Sequence, residues 1–494
     1  MKGKRVLSIT LTVIVICLLA SAPFAEDTSV SIYAGNGKVG YKDGGVLEAA
    51  FNQPYGITVD GDGSMIVVDM YNNRIRRVSG GKVTTIAGYS DETDSFGYPL
   101  GGLVDGKALE SMFNRPRDAV VNSNGDIYIS DTGNNVIRII TGGKVYTFAG
   151  NGKPGYVNGS GNKAEFNMPS GIDIDKSGNI YVADSLNNVI RKITPDGQVS
   201  TYAGRYSKKG GYIDGTASSA MFNEPSDIAV DPGGALYVLD SGNQLVRKID
   251  NGMVTTLAGL RDQLTEGTEY AQGGFADGKG EAARFNFPKG IALTDGGLIL
   301  VADSWNHRIR AINPDGRVVT VAGSGLPGLK NGSPSDSGFD APVDILAYEG
   351  KVYVSDMWNN CIRVLTVDDG LIKRTLDRAE LLEKIDTGIK TEYPQVWFGS
   401  TRIVFPDEKP YISDGSIYLP LRFIFEAWGA DVKWIAPAKH VEVTKGSFHT
   451  TFMPGQDITF FNGERTFVKA EDIASVTGLR VEWFPEYNCV IVAE

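Results

Sequence analysis

Three aspartates occupy one position of a repeated segment, in alternate copies. The residue two places after a recurring proline is Gly56, Asp118, Gly171, Asp227, Gly290 and Asp344. If the strands that begin there crowd a common axis, the three carboxylates face a channel mouth with approximate threefold spacing. A hard cation such as Ca²⁺, or an amine, suits such a set. Deep burial without one would raise their pKa values. The other reading is that each carboxylate caps the amides of a neighbouring loop.

A second set is aromatic. A turn of the form Asp-x-x-Asn recurs, and its third residue varies through Tyr71, Gly133, Leu186, Gly242, Trp305 and Trp358. Phe287 and Tyr55 stand beside the proline of the copies that also carry Trp305 and Tyr71. If the copies form a ring, these aromatics share one half of it. Rings with a polar edge suit stacking on sugars or on a peptide; the alternative is that each packs on its adjacent loop. Two longer segments, 91–101 and 260–273, are acidic with aromatic residues and read as insertions that rim a cleft, or as solvated loops.

The most regular polar residues carry the weakest functional claim. Asp69, Asp131, Asp184, Asp240, Asp303 and Asp356 recur in every copy, as do Arg76, Arg138, Arg191, Arg247, Arg310 and Arg363. A ligand site breaks symmetry, whereas a packing requirement repeats. These residues read as turn-capping carboxylates and inter-blade ion pairs.

The element that positions all of them is best seen in the third copy. After Phe166-Asn167-Met168-Pro169, the runs Gly171–Asp175, Ile180–Asp184, Val189–Ile193 and Gln198–Ala203 read as four strands, separated by Gly-, Asn- and Pro-containing turns. Equivalent anchors are Phe51, Phe113, Phe222, Phe285 and Phe339. Four strands recurring at roughly 50–60 residues mark a β-propeller, whose blades bury their faces on one another. The sixth copy lacks its outer strand, and residues 30–35 supply that strand with no blade before it. The expected fold is therefore a six-bladed, all-β propeller over residues 29–368, closed by its N-terminal strand, with no open edge.

The run P-x-G-I-x-x-D-x-x-G-x-I-Y-V-A-D-x-x-N-N-x-I-R-K-I resembles the NHL repeat. The resemblance implies a six-bladed ring but little about function, since that fold family holds both binding proteins and enzymes. NHL-like amidating lyases bind zinc through several histidines; His307 is the only histidine of the repeats, so this chain departs from that pattern. A calcium-dependent lactonase-type hydrolase remains an alternative, with Asp118, Asp227 and Asp344 as its ligands. No Ser stands in a G-x-S-x-G context, and neither Cys361 nor Cys489 has an evident His partner.

Beyond the repeats, 377–389 reads as a short helix within a linker, 369–394, and 395–494 as a small α+β domain. Its two halves share one offset of 49 residues, with 431–434 matching 480–483 and 440–443 matching 489–492. The segment DGSIYLPLRFIFEAWGADVKW is similar to the copper amine oxidase N-terminal-like, or stalk, domain. With only His440 and His449 present, that likeness implies no copper here.

Residues 1–25 join Lys2, Lys4 and Arg5 to an apolar run, Val6–Ala20, and then small residues, as in a secretory signal. We favour cleavage after Ala25; cleavage after Ala22 and an uncleaved anchor are the alternatives. No later stretch is long and apolar enough to span a bilayer. Cys361 and Cys489 lie in different domains and read as buried free thiols rather than a disulfide. The net charge of −11 argues against nucleic acid as a partner. The sequence thus points to a secreted or cell-surface protein that binds a glycan, cell-wall fragment or peptide. A metal-dependent hydrolase or lyase at the channel mouth and a structural envelope protein are the alternatives.

Overall fold

The computed structural model describes residues 28–95 and 97–366 and, with interruptions, 370–493. Residues 1–25 lie outside the described residues. The chain divides into two compact units, meeting between Glu380 and Leu381.

The first unit is a closed ring of six antiparallel sheets. The third blade shows how the sequence builds one. Its strands are Pro169–Ile174, Ile180–Asp184, Val189–Ile193 and Gln198–Ala203, in that order outward from the axis. Between the second and third, Ser185–Asn187 makes a single 3₁₀ turn that ends on Asn188 at φ +59°. Asparagine tolerates this left-handed backbone, which is why the turn is written Asn-Asn. Every residue of Ile180–Asp184 is buried, because the sheet has a neighbouring blade against both faces near the axis. Each innermost strand contacts the innermost strands on both sides, and that of blade six meets that of blade one.

Closure follows the expected route. Val30–Ala34 pairs antiparallel with Cys361–Leu365 as the outer strand of the sixth blade, Val30 opposite Leu365. Chain start and blade six are thereby stitched together, so the last blade is completed rather than left one strand short.

The blades hold one strand more than the four expected. A two-residue strand, such as Gly44–Gly45 or Gly159–Ser160, pairs outside the fourth in five blades, and Gly332 bridges Val30 in the sixth. Each begins at a glycine with φ between +135° and +150°, after an Asp or Asn. A segment this short carries no period-2 pattern to read.

The repeated arginines and aspartates are structural, but their pairing differs from the expectation. The ion pairs lie within blades, not between them. Arg191 donates to Asp184 of its own blade at 2.7 Å, to the carbonyls of Glu165 and Val157, and to Asn158 Oδ1. The same pattern fixes Arg76, Arg138, Arg247, Arg310 and Arg363, all fully buried. Each guanidinium lies about 5 Å from the ring centroid of its blade's anchor phenylalanine. The arginine therefore ties the lead-in loop to the blade and saturates that loop's carbonyls.

Blades are joined instead by the left-handed residue of the 3₁₀ turn. Asn73, Asn135, Asn188, Gln244, His307 and Asn360 each accept the backbone N–H of the residue before the next blade's proline. Those residues, Gln53, Arg115, Met168, Glu224, Phe287 and Ala341, all lie at φ between +46° and +56°.

The described residues between 370 and 380 are helical, and Ile372 and Leu376 are buried with Val30, Val352 and Leu365 in the first unit. This helix begins earlier than the expected 377–389; residues 381–389 lie outside the described residues.

The second unit bears out the internal duplication. Strand Asp431–Ile435 pairs with His440–Lys445, placing Val432 opposite Val443; Arg480–Phe484 pairs with Cys489–Ala493, placing Val481 opposite Val492. Helices Leu421–Ala427 and Ala470–Thr477 start at the same offset. Their apolar faces share one core with Val443, Phe452, Val468 and Val490. Cys361 and Cys489 are both free and buried.

Candidate functional site

The turns that enter the innermost strands and the 3₁₀ turns bring their side chains to one face of the ring. Two concentric sets of side chains crown the axis on that face. The inner set follows each proline: Tyr55, Arg117, Ser170, Ser226, Lys289 and Val343. Directly below, one residue further along, stand the alternating glycines and aspartates.

The alternation has a packing cause. A Cβ on Gly56 would lie 2.6 Å from Asp118 Cα, and Gly171 and Gly290 meet Asp227 and Asp344 in the same way. Glycine in one blade makes room for the aspartate of the next. Each carboxylate then reaches onward. Asp118 accepts N–H bonds from Ala119 and, across the blade junction, from Ile172 at 2.8 Å. Asp227 does so from Ile228 and Ile291, and Asp344 from Ile345 and Ile57. The three acids thus clamp blades two to three, four to five and six to one.

These acids line a cavity of about 220 Å³ on the axis, together with Asp173. Burial pushes Asp118 up to about 7 and Asp173 up to about 6, against the opposing pull of their amide partners. Asp227 is raised well above the usual carboxylate range by burial and by the charges of Asp118 and Asp344, and Asp344 by burial and the charge of Asp118. Among the described residues no three acids, histidines or cysteines are gathered so as to hold a metal ion. The carboxylates expected at a cation site are brought to one axis, and both oxygens of each are engaged by amides.

The outer set is aromatic. Ring centroids run from Tyr270 to Phe287 at 5.7 Å, on to Trp305 at 6.0 Å and to Trp358 at 6.4 Å. Trp305 and Trp358 are 59% and 48% exposed. Tyr71 pairs with Tyr98 instead, at 5.1 Å. Tyr55 is buried beneath, packed with Met70 and Val343. Of the five aromatics marked by sequence, three therefore form a continuous shelf over blades five and six, and Tyr71 and Tyr55 occupy separate positions near it.

Tyr270 and Tyr98 were not singled out by sequence; both come from the insertions. The insertions do not rim one shared cleft. Segment 91–101 walls a cleft of about 510 Å³ with Tyr71, Arg115, Arg117 and Met168. Segment 260–273 walls another of about 470 Å³ with Leu186, Lys208, Lys209 and Glu224. Tyr270 also donates its hydroxyl to Glu224, which anchors the insertion beside the aromatic run.

In the second unit, His440 Nε2 lies 3.1 Å from Glu442 and His449 Nδ1 3.1 Å from Thr444. Among the described residues neither histidine stands in a group of three metal-binding side chains.

Comparison with known proteins places these features. NHL repeats match at residues 113–140, 166–193, 222–249 and 285–312, and a copper amine oxidase N-terminal domain matches residues 400–492. Among curated proteins, SUPPRESSOR OF QUENCHING 1 of Arabidopsis thaliana is 29% identical over 54% of this chain and 26% of its own length. NHL repeat-containing protein 2 of Homo sapiens is 28% identical over 56% of this chain and 42% of its own length. The chain thus spans less than half the length of these relatives. Among solved structures, an auxiliary nutrient binding protein from Bacteroides thetaiotaomicron aligns at TM-score 0.51 and 16% identity, over 68% of this chain and 76% of that one. A second protein from the same organism, of unknown function, aligns at TM-score 0.51 and 19% identity over 68% and 75%. At such identities the likeness establishes the fold.

Proposed function

We propose that this chain, an NHL-repeat propeller joined to a copper amine oxidase N-terminal domain, is a glycan-binding protein of the cell surface or exterior. The observation that carries the reading is the continuous Tyr270–Phe287–Trp305–Trp358 run, whose two tryptophans are half exposed on the loop face. Exposed, contiguous aromatics on a rigid scaffold mark a binding surface, and sugar rings stack on them.

A glycan fits better than a peptide for a stated reason. Peptides are commonly read through their backbone, which needs free main-chain donors or a strand edge. On this face the turn amides are already spent: Tyr71, Leu186, Trp305 and Trp358 donate to the carbonyls of Asn52, Asn167, Asn286 and Asp340. The ligand is then read by side chains, through rings and polar tips. The exported location rests on the signal-like residues 1–25, and the second unit serves as spacer or envelope attachment. A fold shared with an auxiliary nutrient binding protein is compatible with capture of an external sugar.

Trp305→Ala with Trp358→Ala is expected to abolish retention on cell-wall polysaccharide while leaving the melting temperature unchanged. Unchanged retention would sink the aromatic-shelf reading. Retention on a peptide array and not on glycans would replace the ligand class.

A further inference from the structure

Two cations follow the prolines of blades two and five, Arg117 and Lys289, and among the described residues neither forms an ion pair. Arg117 lies over the ring of Tyr55, 5.6 Å from its centroid, with Nη1 3.5 Å from Ser170 Oγ. Lys289 Nζ stands 5.7 Å from the centroid of Phe287, the second member of the aromatic run. Among the described residues neither cation has an acid within ion-pair distance, although every repeated buried arginine has one.

The surrounding acids are otherwise engaged. Asp118, Asp227 and Asp344 below the mouth each accept two backbone N–H groups. Glu224, whose charge acts on Lys289, takes the hydroxyl of Tyr270. The rest of the ring is Ser170, Ser226 and Val343, none of them charged. Two unpaired cations, in a chain of net charge −11, are a costly arrangement unless something anionic joins them. Burial, with the charge of Arg117, already pulls the Lys289 ammonium down to about 8.

We propose that Arg117 and Lys289 seat the carboxylate of an acidic sugar whose neighbouring rings lie along Phe287, Trp305 and Trp358. The proposal rests on the glycan reading above and names its chemical class as a uronic-acid-type saccharide. Arg117 offers a planar pair of donors suited to a carboxylate, and Lys289 a point charge on the opposite flank. Tyr55 walls the seat beneath Arg117. The steps from Lys289 to Phe287 and on to Trp305 and Trp358 are 5.7, 6.0 and 6.4 Å, so charge and stacking surface are adjoining parts of one site.

The test compares trigalacturonate with its methyl ester, which keeps the rings and removes the charge. Titration calorimetry of the full chain is expected to give at least tenfold tighter binding of the acid. Arg117→Gln with Lys289→Gln is expected to erase that preference, bringing acid binding to the level of the ester; Lys289→Gln alone should reduce the preference at least threefold if the double variant fails to fold. Equal binding of acid and ester by the wild type, or a preference that survives the double variant, overturns the carboxylate seat while the glycan reading stands. Oligoglutamate bound as tightly as trigalacturonate overturns the sugar assignment. Binding of neither saccharide counts against both the seat and the glycan reading.

Discussion

Gly56 has no room for a side chain because Asp118 of the next blade fills the space. A Cβ at position 56 would stand 2.6 Å from Asp118 Cα and 2.7 Å from its Oδ1. The glycine is needed for close approach, not for left-handed backbone. Gly56→Ala is expected to cost about 1–3 kcal/mol through forced displacement of the junction. Gly61→Ala is the control, since nothing lies within 4 Å of that site. Chemical denaturation of both variants checks the pair; equal effects would show that the junction yields.

Asp118 is expected to make the propeller less stable as pH rises. Burial lifts its carboxyl from 3.8 to about 7 in the fold. A group that holds its proton more tightly when folded adds stability that is full below its unfolded value and lost as pH climbs to the folded one. The Asp118 contribution should therefore fade between about pH 4 and about pH 7. Asp118→Asn should remove that slope and lower stability throughout, because the amide's own N–H₂ meets one of the two backbone donors at a cost of about 1–3 kcal/mol. Denaturation midpoints of both proteins across this range decide it; parallel curves would refute the assignment.

His307 works in the opposite direction. Its Nδ1 accepts the Ala341 N–H at 3.2 Å, which requires an unprotonated nitrogen, and burial lowers its pKa below 6.5. A base with a depressed folded pKa gives stability that is full above the unfolded value and lost as pH falls through the folded one. Asp340, 3.6 Å from the same nitrogen, tempers the loss. His307→Asn supplies the acceptor used at Asn73, Asn135, Asn188 and Asn360 without a titrating group. The variant should hold its melting temperature between pH 6.5 and 5 better than the wild type does.

Buried and surface arginines should differ sharply. Arg191→Met leaves Asp184 buried without its counter-charge and strips two loop carbonyls of their donor, at about 3–5 kcal/mol. Arg284 pairs with Asp262 at 2.5 Å where both side chains are about a third exposed, and Arg284→Ala should cost about 1 kcal/mol or less. Thermal melts of the two variants, with the first far below the second, are the expected outcome.

Neither thiol should react in the folded protein. Cys361 and Cys489 are buried, and burial pushes the Cys489 thiol up to about 12. A thiol reagent is expected to label neither Cys361 nor Cys489 in the native protein and both after unfolding, and a reductant to leave the melting temperature unchanged.

Much of this architecture is written locally. The strands Ile180–Asp184, Val189–Ile193 and Gln198–Ala203 fall where their alternation and turn residues place them. The ring closes on residues 30–34 because the last copy lacks the strand that the first residues supply. In the C-terminal unit the 49-residue offset survives into strand register.

The site was legible only in part. Trp305, Trp358 and Phe287 stand out as departures from a repeat, and blade order makes them neighbours. Tyr270 and Tyr98 sit in insertions with no repeat to depart from, so nothing in the sequence tied them to an aromatic partner. Tyr55 reads like its exposed counterparts, yet it lies under Met70 and Val343, a burial set by the meeting of blades one and six.

The sequence by itself determined the blade count, the four long strands of each blade, the closure and the set of residues that break symmetry. These depend on patterns within a few residues, or on comparing copies. Only the tertiary structure decided that Gly56 answers Asp118, that Asp118 answers Ile172, and that Arg117 lies over Tyr55. Those relationships join different blades, and the distance between blades is fixed by how six twisted sheets pack about an axis, which no single stretch of chain encodes.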